Sequence, residues 1–255
     1  MAGYSKRSQL FNFAKNRIAN TMKSFDDYQQ FAEVYVKKAE ASSHNAYYER
    51  PAMFSVLSNL KYNRVLDAGC AGGVYAEWLL GQGADLVAVD INQQMVEFTK
   101  QRTNNCAQIY QADLNQPLSF LNDSWFDLIV SSLTMHYLPD WTKVFREFNR
   151  ILSPSGSLLF STHHPFMDYQ LFDLPNYFTQ ELIEDEWNGF KDKKVKVRFY
   201  HRSLSSMINA LNNAEFIVEN IIEPRPTKDC QELYPQDYNK LSTKPWFLIV
   251  LARKQ

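Results

Sequence analysis

The chain has 255 residues, 45% hydrophobic and 22% charged, with a formal net charge of −1; it can bury a substantial core as one large domain or two small ones, and a charge so near zero does not announce the basic face that nucleic-acid binding uses. Its cysteines, Cys70, Cys106 and Cys230, are too few and too unpatterned for a disulfide framework or a zinc site, so a reducing cytoplasm is the expected compartment. No apolar run approaches the roughly 20 residues that cross a bilayer.

In chain order, Lys6, Arg7, Lys15, Arg17 and Lys23 precede the first acid, Asp26, while Leu10, Ala14, Ile18 and Met22 share one helical stripe. The pattern suits a helix docked on the protein, and equally a transit peptide or a membrane-surface helix. Phe25, Tyr28, Phe31 and Tyr35 continue helical spacing through 24–60, and Pro51 opens a helix to about Leu60. From Tyr62 the texture alternates. Short strands are predicted at Val65-Leu66, at Leu86–Val89 ending in Asp90, at Gln108–Ala112 ending in Asp113, at Phe126–Ser131 and at Ser157–Thr162. Between them lie helices at Val74–Leu80 and Asn92–Arg102, and one that Asp140 caps, with Val144, Phe148, Ile151 and Leu152 inward. This rhythm predicts an α/β fold, a mostly parallel sheet with helices on both faces and right-handed crossovers.

Residues 163–200 break the rhythm with His163-His164-Pro165-Phe166, an acidic run (Glu181, Glu184, Asp185, Glu186) and Lys191, Lys193 and Lys194. They read as an insertion over the sheet whose charge runs are solvated faces. A helix at Ser203–Asn212, a strand at Phe216–Ile222, a loop at Pro224–Lys244 with three prolines, and a strand at Trp246–Ala252 complete the chain. The expected organisation is a single domain: an N-terminal helical cap (1–50), a cofactor-binding core (51–162), an insertion over the active site (163–200) and the C-terminal part of the sheet (201–255).

The informative stretch is VLDAGCAGG, Val65 to Gly73. A buried strand ends in Asp67, and Gly69, Ala71 and Gly73 lead into a helix. Small residues admit a ligand to the backbone, the helix N-terminus favours a negative group, and ligands of open parallel sheets bind at the carboxyl ends of strands. The spacing is not the G-x-G-x-x-G of a dinucleotide site, which disfavours a nicotinamide oxidoreductase. Asp67 would repel a pyrophosphate but suits an ammonium beside a carboxylate. Asp90 can accept both hydroxyls of a ribose, and Asp113 an exocyclic amine of a base. Amino acid, ribose and adenine in that order describe S-adenosylmethionine.

With VAVDI (87–91), QADL (111–114), FDLIVSSLTMHYLPDW (126–141) and RILSPSGSLLFST (150–162) in order and spacing, the sequence resembles the class I S-adenosylmethionine-dependent methyltransferases over about residues 45–165. The last two segments resemble the small-molecule branch that includes ubiquinone- and biotin-pathway enzymes. The resemblance implies a Rossmann-like, seven-stranded sheet whose last strand, Trp246–Ala252, runs antiparallel between its neighbours. It also implies cofactor contacts: Gly69 and Gly73 in the loop, Asp90 at ribose, Asp113 at adenine, Ser131 through its backbone at the methionine portion, and Ile91, Met95 and Leu114 around the adenine. Ala71 departs from the family's middle glycine.

No catalytic residue is named by the family's motifs. Geography offers His136, beyond the fourth strand, and His163 and His164, beyond the fifth. A histidine titrates near neutrality and can act as a base. Only one of two adjacent strand residues can face a pocket, and His164 is the expected one. His136 could instead fix the loop before Asp140. No metal-ligand spacing is present. Tyr28, Tyr35, Tyr47 and Tyr48 could close over a sulfonium or simply pack. The expected partner is a small, partly apolar methyl acceptor, with no nucleic acid and no stable membrane insertion; oligomeric state and acceptor atom are open. A protein that binds the donor without turnover is the alternative.

Overall fold

A computed structural model describes Val36 and residues 38–190 and 193–255, with backbone alone at 187–190 and 193–195. The basic N-terminal stripe, the face from Phe25 to Tyr35, Lys191 and the side chains of Lys193 and Lys194 lie outside the described residues.

Apolar runs between an acid and a turn become the central strands: β1 (Arg64–Ala68), β2 (Asp85–Asp90), β3 (Gln108–Gln111), β4 (Phe126–Ser131) and β5 (Leu152–His163). They pair in parallel in the order β3-β2-β1-β4-β5. Beyond β5 come two strands numbered out of this order because a hairpin, β6 (Glu181–Phe190) and β7 (Lys193–His201), precedes them in the chain. These are β9 (Phe247–Lys254), antiparallel to both neighbours, and the edge strand β8 (Phe216–Ile222). The sheet is therefore seven-stranded and mostly parallel, with the last strand inserted against the grain.

Successive side chains of a strand point to opposite faces, and two cores result. Leu66, Val89, Ile129 and Phe160 pack with α4 (Trp141–Ile151) and α6 (Leu204–Asn212) on one face. Val65, Leu86, Leu128 and Leu159 pack with α1 (Arg50–Leu57) and α2 (Val74–Gly81) on the other. Strands buried on both faces explain their near-continuous apolar sequence. Between β2 and β3 runs α3 (Gln93–Arg102). Its N-cap Asn92 accepts from the N–H groups of Gln94 and Met95, and Asp140 caps α4 through Lys143 N–H.

Three segments differ from the sequence expectation. Residues 163–200 contain α5 (Pro165–Leu171) and the β6–β7 hairpin. There the acidic run lies opposite basic residues outside the lysine cluster, with Glu184 opposite Arg198 at 2.7 Å and Glu186 opposite Lys196. Residues 224–244, read as a loop, hold α7 (Lys228–Leu233) and α8 (Pro235–Thr243). Thr227 caps the first and Pro235 occupies the first turn of the second, where its missing N–H is no loss. The strand expected at Ser157–Thr162 begins earlier, at Leu152, with an excursion at Pro154-Ser155-Gly156: Phe126 pairs with Leu152 and Leu128 with Ser157, so the residues between loop out, Ser155 at φ +60°.

Candidate functional site

The strand order reverses at β1, which lies between β2 and β4. Crevices form outside the carboxyl ends of strands at such a point. Asp67 and Asp90 lie at the tips of β1 and β2, and Asp113 two residues beyond the end of the adjacent β3.

Asp67 is 1% exposed, and its Oδ2 is buried with no hydrogen-bond partner among the described residues. Burial, and then the neighbouring Asp90 charge, push its carboxyl up to about 7. Asp90 does a task the sequence did not announce. Its Oδ2 accepts the Ala71 N–H at 2.9 Å and its Oδ1 the Asn92 N–H at 2.8 Å. Burial still raises its pKa against those two donors. Ala71 is consequently fixed in the left-handed region, φ +46°, with its carbonyl accepting from Thr99 Oγ1 at 2.8 Å. Gly69 has φ +89°, and a Cβ there would fall 2.2 Å from Thr134 Oγ1. Gly73 begins α2 at φ +81°.

Asp113 makes an Asx turn, its Oδ1 accepting the backbone and side-chain N–H groups of Asn115, both at 2.9 Å. Ser131 Oγ donates to Ala68 O at 2.8 Å, tying β4 to the end of β1. Ile91 is half-buried at the tip of β2, while Met95 and Leu114 are buried.

A cavity of about 480 Å³ adjoins this crevice, within the range of small-molecule sites. The connection is one residue thick. Leu133 lines the cavity, and Thr134 beside it touches Gly69 of the loop. The wall is mainly aromatic and imidazole: His44, His136, Tyr137, His163, Phe172, Phe199, Trp246 and Phe247, with Asp168, Lys38, Asp185 and Glu186 supplying charge. His136 is 3% exposed and its Nδ1 has no partner among the described residues; burial, then His163 and Arg202, hold its pKa well below the usual value.

Of the adjacent histidines, His163 lines the cavity, contrary to the expectation for His164. His164 caps α5 by accepting the Phe166 N–H, and its Nε2 lies 3.1 Å from Glu223. Burial lowers its pKa while Glu223 opposes the shift. The cause is register. His163 is the last β5 residue paired with β9, opposite Phe247, and the chain leaves the strand at His164 to start the helix. Tyr47 and Tyr48 pack rather than close over the loop. Tyr48 is fully buried against Phe247, its hydroxyl accepting the Trp246 N–H, and Tyr47 packs on Tyr234. Tyr28 and Tyr35 lie outside the described residues.

Sequence reasoning missed Glu49, at the end of a π-helical turn Asn45–Glu49. It is 1% exposed and accepts from Tyr75 (2.7 Å), Ser132 (2.8 Å) and Ser161 (2.5 Å), so one carboxylate clasps the cap segment to the tips of β4 and β5. Its helical spacing carried no sign of this role.

Residues 66–160 match a family model described as a methyltransferase domain. Over that stretch the chain carries a methyltransferase domain of the class I S-adenosylmethionine-dependent kind. It is 29% identical to an uncharacterized protein of Haemophilus influenzae, across 92% of this chain and 98% of that one. It is 28% identical to the malonyl-[acyl-carrier protein] O-methyltransferase of Erwinia billingiae, but over 58% of this chain and 61% of that enzyme's length. A solved S-adenosylmethionine dependent methyltransferase from Mesorhizobium loti superposes with a TM-score of 0.65 at 24% identity, covering 85% of this chain and 100% of that one, which shows the shared fold.

None of the expected cofactor residues lines the cavity itself, but the strand tips beside it carry groups that suit such a donor. The donor supplies a methyl group already activated on a sulfonium. The orphaned Asp67 Oδ2 can pair with an ammonium, and each Asp90 oxygen keeps a lone pair beyond its backbone bond.

Proposed function

We propose that this methyltransferase acts on a small, partly apolar acceptor held in the aromatic and histidine-lined cavity. The observation that carries the reading is the single-residue partition at Leu133-Thr134, one side chain on the cavity and the next on the loop. An acceptor there would lie beside the donor's methyl group, and catalysis would consist of alignment and exclusion of water.

In this reading Asp67 holds the donor's ammonium, Gly69, Ala71 and Gly73 admit its backbone contacts, and Asp90 accepts the ribose hydroxyls. Asp113 faces the adenine amine, Ile91, Met95 and Leu114 flank the ring, and Ser131 fixes the strand tip beneath the methionine portion. His136, neutral in its buried setting, shapes the acceptor side. The named O-methyltransferase relative takes a malonyl-[acyl-carrier protein], but that likeness spans 58% of this chain; the cavity size favours a free small molecule. The reading includes a cytoplasmic location, in keeping with three free cysteines, and no nucleic-acid partner.

The test is incubation with methyl-tritiated S-adenosylmethionine and fractionated cell extract. Label in low-molecular-weight product is expected. Label only in protein or RNA would overturn the small-molecule acceptor, and donor binding without any transfer would favour a binding module.

A further inference from the structure

Donor binding leaves one carboxylate–imidazole contact on the cavity wall unused. His163 Nδ1 lies 3.4 Å from Oδ1 of Asp168, whose residue is 6% exposed. We propose that His163 is the general base of the reaction, that Asp168 is its positioning residue, and that the acceptor is a nucleophile that must first lose a proton, a hydroxyl or an ammonium. The proposal rests on the methyl-transfer reading above.

The local sequence builds the pair. β5 ends at His163, His164 caps α5, and Pro165 starts it. That brings Asp168, in the first helical turn, back over the strand end. The His163 ring is held from three sides. It stacks on His136 at 3.9 Å and 16°, lies nearly parallel to Phe247 at 6.0 Å, and meets Phe199 edge-on at 4.5 Å. The Nδ1–Asp168 contact is long and poorly aligned, as such contacts often are before substrate arrives. It would tighten once the ring carries charge.

His136 is the poorer base of the two. It has no carboxylate partner among the described residues, and Arg202 adds positive charge nearby. Its neutrality matters, because two stacked imidazoles cannot readily both be charged. The His163 side chain is 19% exposed and shares the cavity with Asp168.

In the step, the acceptor's proton passes to His163 Nε2 while Nδ1–H donates to Asp168. The freed lone pair forms the bond to the methyl carbon as the methyl–sulfur bond breaks, its electron pair remaining on sulfur as a neutral thioether. The proton then leaves His163 for solvent. A carboxylate acceptor, already ionised at neutral pH, would not need this base and would be repelled by Asp168.

The first test uses histidine-labelled protein saturated with S-adenosylhomocysteine, the His163 signals being assigned by their loss in His163→Asn. His163 is expected as the Nδ1–H tautomer, and Asp168→Asn should move it toward Nε2–H. An Nε2–H ring in the wild type, or a tautomer indifferent to Asp168→Asn, would overturn the positioning role. The second test is transfer from methyl-tritiated donor to metabolite extract. His163→Asn should lower it at least ~100-fold with S-adenosylhomocysteine affinity unchanged. Label should survive mild alkali, as ethers and methylamines do, and retention on a cation exchanger then separates amine from hydroxyl. Equal rates, label released as methanol from an ester, or wild-type protein that binds the product but transfers nothing would each refute the base. Failure to bind S-adenosylhomocysteine would instead remove the reading beneath it.

Discussion

The carboxylate of Asp90 receives the backbone N–H of Ala71 at 2.9 Å, across 19 residues of sequence. One acid thereby shapes the loop and, in the proposed function, also receives the donor's ribose. The two roles predict that loop order and donor affinity fail together. Asp90→Ala should weaken S-adenosylhomocysteine binding at least ~100-fold, since hydrogen bonds to a charged acceptor contribute about 1.5–3 kcal/mol each. It should also lower stability by about 2 kcal/mol, through two backbone donors left unpaired. Calorimetric titration and urea unfolding read the two effects separately; a folded variant with unchanged affinity would remove the ribose role.

Asp67 predicts a trade between stability and binding. Its carboxyl titrates near 7 in the folded protein and near 3.8 when unfolded. The folded state thus binds more protons between those values, and this group's contribution to stability falls as pH rises from about 4 to about 7, then levels off. Asp67→Asn removes the titration. At pH 8 the variant should be more stable than the wild type by about 2–4 kcal/mol, with the difference vanishing near pH 4. Donor affinity should drop at least ~10-fold, because the ammonium loses its counter-charge. Urea unfolding at the two pH values checks the sign, and a variant less stable at pH 8 would contradict it.

Glu49 gives a third prediction. Three hydroxyls, from Tyr75, Ser132 and Ser161, point at its carboxylate. Glu49→Ala should cost about 3 kcal/mol or more, because each buried hydroxyl left unpaired costs about 1–3 kcal/mol. Glu49→Gln, which keeps the shape and one acceptor, should cost about 1 kcal/mol. Thermal unfolding of both variants decides between a hydrogen-bonded clasp and simple space filling, which would leave Glu49→Gln as stable as the wild type.

Gly69 offers a double-mutant test. Gly69→Ala meets the Thr134 side chain at 2.2–2.8 Å and must also hold φ +89°. A loss of about 3 kcal/mol is expected, from overpacking plus backbone strain. Adding Thr134→Gly should recover part of it, the overpacking alone. Full recovery in unfolding titrations would mean that the backbone angle costs nothing.

The donor half was legible because its signals are local. β1 and β2 are apolar runs that close on an acid, Asp67 and Asp90, and Asn92 and Asp140 stand where helix caps belong. The β6–β7 hairpin was hidden by its charges. Glu184 read as part of a solvated acidic run, and only strand pairing sets it against Arg198. The helices at 228–243 were hidden by three prolines, one of which starts α8. His163 and His164 show the limit of alternation, which says that one of two neighbours faces a site and leaves the choice to register against Phe247. Asp168 could not be paired with His163 before α5 was known.

The most direct measurement is a crystal structure of the protein with S-adenosylhomocysteine. The ligand is expected with its ammonium at Asp67, its ribose at Asp90, its adenine toward Asp113 and its sulfur facing the cavity that His163 lines. Product bound elsewhere, or a crevice still filled by the protein's own side chains at saturating product, would contradict the account.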